Sequence, residues 1–183
     1  MSEFKLFMIL LGCKPPGRHI EQHDIFFGIA RTVKDLTHDI KQFWPEGAGK
    51  IHIDAWREVT VVDGNRINVT LKTADIQRQP EKLFFINLGG YEKGSFEEQH
   101  YFLLTVSRNK ASATKQAKST AFFKHNQFGR AVTHIDDQYG IDVDDLYEMI
   151  EILPTVQKDK FSISITSANG MADDEVHLGY LKL

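Results

Sequence analysis

The chain repeats itself. KLFMILLG at 5–12 returns as KLFFINLG at 82–89, and the register then holds without a gap. Over 5–44 against 82–121, 13 of 40 positions are identical, where average composition gives about two or three by chance. A stretch that occurs twice must suit the same local structure twice. Each strand or helix read in one half is therefore checked by the other.

Phe4 to Leu11 is almost continuously apolar, as expected of a strand covered on both faces. Phe84, Phe85, Ile86 and Leu88 repeat it, with Asn87 where Leu10 stood. A polar loop is expected next, anchored by Gly12 and Gly17 in the first copy and by Gly89 and Gly94 in the second. HDIFFGIA at 23–30 and HYFLLTVS at 100–107 have strand composition. Thr32 with Asp35 then marks a helix start, and Leu36, Ile40 and Phe43 give that helix an apolar face. Ala113 and Ala117 replace the first two of these in the second copy.

His-Ile-Asp at 52–54 is answered by His-Ile-Asp at 134–136, an offset of 82 that also relates Asp63 to Asp145. Strands are expected at 66–71, after an Asp63-Gly64 turn, and at FSISIT, 161–166. A last strand is expected over 177–183. Each module reads β-β-α-β-β, which makes the class α+β: a mainly antiparallel sheet with helices on one face. The expected division is 1–76 and 82–183 with a short linker at 77–81, the halves related by approximate two-fold symmetry.

The pattern Gly12-x4-Gly17-x3-Glu21-Gln22-His23 and its second form, Gly89-x4-Gly94-x3-Glu98-Gln99-His100, together with His52-Ile-Asp54-x-Trp56, resemble a small bacterial family. That family is described only as DUF1543, a domain of unknown function found in one or two copies. The resemblance runs from Lys5 to the C-terminal strand. It implies a bacterial, cytoplasmic protein and supplies no reaction, cofactor or partner.

Composition narrows the function classes. No run of 18 apolar residues exists, so no membrane span is expected, and the start of the chain reads as a first strand. Cys13 is the only cysteine, which excludes an internal disulfide and fits a reducing compartment. Net charge is -3 with both signs mixed along the chain. There is no basic stripe with interleaved aromatics, so nucleic acid is not an expected partner. HExxH, paired CxxC, an EF-hand loop and a P-loop lysine are all absent from the sequence, so no cofactor or metal is assigned.

The candidate polar site has two parts. Glu21, Gln22 and His23 recur as Glu98, Gln99 and His100 directly before a strand. Their structural reading is a clasp that holds the glycine loop; their functional reading is a ligand surface. In the second part, His52 with Asp54 and His134 with Asp136 stand at i and i+2, on one face of a strand. That places an imidazole beside a carboxylate, as in an oriented histidine or a pair of metal ligands. Trp56 is expected on the same face. If the two parts meet, they form a site of two imidazoles and carboxylates. Cys13, near Lys14 and Arg18, is a weaker candidate thiolate.

Three readings remain open. The leading one is a non-enzymatic binding or assembly module with an unknown small-molecule ligand. The second is a small enzyme using the His, Asp and Glu groups, with a metal as one option. The third is a structural homodimer whose polar groups are interface hydrogen bonds.

Overall fold

A computed structural model describes residues 3–47, 49–73, 79–91, 96–119, 141–168 and 170–183. The chain divides into two compact units, Met1–Gln77 with Leu153–Leu183, and Arg78–Ile152. The class is α+β with antiparallel sheets, as expected. The units do not follow the expected division at 82–183, because the C-terminal segment groups with the first unit.

The first unit is built on a four-stranded sheet. Its strands are β1 (Lys5–Cys13), β2 (Gln22–Ala30), β3 (His52–Glu58) and β10 (His177–Lys182), in the order β10-β3-β1-β2. Phe7, Ile9 and Leu11 of β1 turn to one face and pack with Leu36 and Ile40. Each such buried side chain contributes about 1.5–3 kcal/mol. The expected helix begins as a 3-10 turn, Val33–Leu36, and continues as α1 (Thr37–Phe43). The Asp35 carboxylate accepts the Thr32 N–H at 2.9 Å, satisfying one donor at the helix start. By strand alternation Met8, Leu10 and Gly12 turn to the opposite face.

A second sheet of this unit joins β4 (Val61–Val62), β5 (Asn65–Leu71) and β9 (Phe161–Ser167). The β4–β5 turn uses Asp63 at φ 51° and Gly64 at φ 70°, the left-handed pair that a tight hairpin requires. The two alternating segments expected as counterparts in separate modules pair with each other. Ile67 faces Ile165, Val69 faces Ile163 and Leu71 faces Phe161. Gln157, on α4 (Thr155–Lys160), fastens this return. Its Oε1 accepts the Ile29 N–H at 2.6 Å, and its Nε2 donates to Asp39 at 2.7 Å.

The second unit has a three-stranded sheet of its own. β6 (Lys82–Tyr91) lies between β7 (Glu98–Ser107) and β8 (Ile141–Glu148). Phe84, Ile86 and Leu88 pack on Ala113 and Ala117 of α2 (Lys110–Lys118). Asn109 caps that helix by accepting the Ser112 N–H at 2.9 Å. A short α3 (Met149–Ile152) closes the unit. Among the described residues, no helix is long and apolar enough to cross a membrane.

Register shows how closely the units correspond. Both β1–β3 and β6–β8 carry a shift at the same place, between Leu10 and Leu11 and between Asn87 and Leu88. In β3 the extra residue is Asp54; in β8 it is Asp144. The segment that matches Ile51-His-Ile-Asp is therefore Ile141-Asp-Val-Asp, an offset of 90 and not 82. Asp142 takes the register position of His52.

Candidate functional site

Gly12 is the geometric centre of the site. It is a strand residue, not the expected loop anchor, and it pairs with both neighbours. His23 on β2 lies directly opposite it on one side, and His52 on β3 on the other. Residues directly opposite share a face, and adjacent strands lie about 4.8 Å apart. Two imidazoles thus flank a position that has no side chain, and they lean together over it. A Cβ on Gly12 would run into the His52 ring and the Asp54 carboxylate.

Asp54 reaches this face because it is the bulge residue. A β-bulge inserts one residue against the partner strand and re-aims its side chain. Beyond it the alternation is reset. Ala55 faces Leu10, and Trp56 faces Ile9 on the core side. Trp56 packs against the first unit's core and stacks on His177 at 4.0 Å. The structure thus puts Trp56 on the face away from His52, contrary to simple alternation from Ile51. Register likewise puts Gln22 opposite Cys13, on that same far face.

Four side chains make up the cluster. His52 Nε2 lies 3.2 Å from Glu21 Oε1 and 3.3 Å from Asp54 Oδ1. His23 Nε2 lies 3.4 Å from Asp54 Oδ2 and 3.9 Å from Glu21 Oε2. His52 is 4% exposed. It stacks on Tyr180 at 4.2 Å, and its Nδ1 faces the Lys50 carbonyl at 3.3 Å. A carbonyl only accepts, so Nδ1 is the donor in this contact, and Nε2 is the atom turned to the cluster. Nε2 meets two carboxylate oxygens. The contact is attractive only when a proton or a cation lies between them. Asp54 Oδ2 is buried and has no hydrogen-bond partner among the described residues.

The second unit carries a reduced version. His100 lies opposite Gly89, and Asp142 stands opposite Gly89 on the other strand. A Cβ on Gly89 would run into the Asp144 carboxylate. His100 Nδ1 is 3.5 Å from Asp144 Oδ2 and 3.2 Å from Asn87 Oδ1, while its Nε2 is 3.8 Å from Glu98. Asn87, which replaces Leu10, thus gives His100 an amide partner. Gln99 pairs with Gly90, out of register with this group. His134, Asp136 and Gly94 lie outside the described residues. Gly17 serves the loop through its φ of 79°.

Cys13 turns to the core, fully buried, with its thiol directed at the Gly47 carbonyl at 3.7 Å. Burial raises its pKa; Lys50 opposes this in part, and Glu21 adds to it. The expected activation by nearby positive charge is reversed. Sequence reasoning missed Tyr180, the Lys50 carbonyl, Asn87 and Asp144. The matching Ile-x-Ile/Val-Asp tetrads at 51–54 and 141–144 were the available signal for the last of these.

Residues 18–69 match a family model described as Domain of Unknown Function (DUF1543). That span contains Glu21, His23, His52 and Asp54. No curated protein matches the sequence. Among solved structures, the chain resembles the crystal structure of a protein, Il1583, from Idiomarina loihiensis. The two are 21% identical with a TM-score of 0.61, over 98% of this chain and 97% of that one. This likeness extends to the fold alone.

Proposed function

We propose that this chain is a binding module whose ligand site is the Glu21, His23, His52 and Asp54 cluster of the first unit, and that the ligand brings positive charge to it. The observation that carries the reading is Asp54 Oδ2, buried without a hydrogen bond among the described residues, with His23 Nε2 at 3.4 Å. Folded proteins pair nearly all their buried polar atoms. An acceptor left unmatched costs about 1–3 kcal/mol. Sites that keep such a cost are commonly those where a ligand meets it. We further propose that both halves are copies of the same domain, on the strength of the shared register, the shared bulge and the paired glycines. Among the described residues the second copy then has Asp142 at the register position of the His52 imidazole. The buried lone thiol agrees with residence in a reducing cytoplasm.

Thermal unfolding of Asp54→Asn tests the binding reading. At pH 8, after dialysis against chelator, the amide nitrogen can donate to His23 or Glu21 and removes one of two facing negative charges. The melting temperature is expected to rise by about 2–4 °C, the shift that about 1 kcal/mol produces in a chain of this size. An unchanged or lowered melting temperature would identify the cluster as a self-contained structural network and end the reading.

A further inference from the structure

We infer that the ligand of this cluster is a divalent first-row transition-metal ion of the zinc(II) class, bound through the Nε2 atoms of His23 and His52 with Asp54 and Glu21. This inference rests on the binding reading above. Three features select the class. First, bonds of 2.0–2.1 Å around a tetrahedral ion put neighbouring ligand atoms about 3.3 Å apart. Three of the nitrogen–oxygen separations here are 3.2, 3.3 and 3.4 Å. Second, His52 is preset for coordination. Its Nδ1 faces the Lys50 carbonyl, its ring stacks on Tyr180, and its Nε2 faces the cluster. A backbone carbonyl on the distal nitrogen is the usual support of a metal-bound histidine. Third, two imidazoles disfavour magnesium and calcium, which take oxygen ligands. Two carboxylates also match the charge of a divalent ion, leaving no unpaired buried charge.

The cluster is not yet closed. Among the described residues, no group of three or more His, Cys, Asp or Glu side chains surrounds a single metal position. Closure requires the carboxylate of Glu21 and the ring of His23 to turn inward. Their side chains are 46% and 49% exposed, so both have the freedom to do so. His52 and Asp54 supply the fixed half of the site. Among the described residues the second unit offers one imidazole, already beside Asn87, so the expected stoichiometry is one ion per chain.

The test is calorimetric titration of untagged, chelator-treated protein with zinc chloride, paralleled by the visible absorption of the cobalt(II) form. Wild type is expected to bind one equivalent. His23→Gln, a change at a half-exposed position, is expected to weaken binding by roughly tenfold or more. It should also abolish the visible bands of four-coordinate cobalt. His100→Gln is expected to change neither. Binding that survives His23→Gln, or that His100→Gln weakens as much, overturns the site. Absence of saturable binding overturns the metal. If Asp54→Asn is then still stabilised, the ligand is of another class; if it is destabilised, the binding reading falls as well.

Discussion

At the residue scale the site depends on an omission. Gly12 sits where any side chain would collide with His52 and Asp54, and Gly89 stands in the same relation to Asp144. Gly12→Ala should therefore act as overpacking, costing about 1–3 kcal/mol in urea unfolding. The cost should shrink in the Gly12→Ala, Asp54→Ala double variant, since removing the carboxylate frees part of the space. Strict additivity would show that the collision is relieved elsewhere. Cys13 gives a second residue-scale expectation. Its thiol pKa is raised by burial, so the folded state holds the proton more tightly than the unfolded chain. That stability is fully present below the ordinary thiol value near pH 8.5 and is lost as pH rises through the folded value. A disulfide reagent at pH 8 should label native protein only as fast as it opens. Immediate labelling would contradict the burial of the sulfur.

At the element scale, the same bulge in β3 and β8 does what strand periodicity cannot announce. His52 and Asp54 were legible as neighbours because two residues of strand bring side chains to one face. Trp56 was misplaced because the bulge at Asp54 resets the alternation, and no residue type there signals a bulge. The His-Ile-Asp at 134–136 matched 52–54 better in letters, yet the strand that pairs with β6 is Ile141–Glu148. Its identity rests on hydrogen-bond register and not on side-chain identity. The capped helix, the Asp-Gly hairpin and the paired first strands were legible, being local. The partners of β9 and β10 were not, because pairing across such separations leaves no mark in either segment alone. Gln157 shows how this return is held: one side chain satisfies the buried Ile29 N–H and binds Asp39. Gln157→Leu keeps the bulk and removes both bonds. It should cost about 1–3 kcal/mol for the orphaned donor, measured by chemical denaturation. A neutral result would mean that another group reaches the Ile29 N–H.

At the scale of the whole molecule, the second unit is a continuous stretch inserted into the first. The first unit is complete only when the chain returns with β9 against β5 and β10 against β3. Contacts that distant pay their loop-closure entropy before they yield stability, so they form late. The site inherits this dependence. Tyr180, on β10, stacks on His52, and the cluster lies on the sheet that β10 completes. Both tryptophans of the chain, Trp44 and Trp56, belong to the first unit, so their fluorescence reports that unit alone. A chain ending at Ile152 lacks β9, β10 and Gln157. It should lose the cooperative tryptophan transition in urea while the far-ultraviolet circular dichroism of the inserted unit still unfolds as one step. The argument is energetic. Removing β10 uncovers the β3 edge, and removing β9 uncovers Ile67 and Val69, each 8% exposed or less in the full chain. Small domains rarely have more than about 5–15 kcal/mol in reserve. A tryptophan transition that keeps its midpoint in the shortened chain would show that the first unit folds without its C-terminal return, with β3 and its His52 paired to β1 alone.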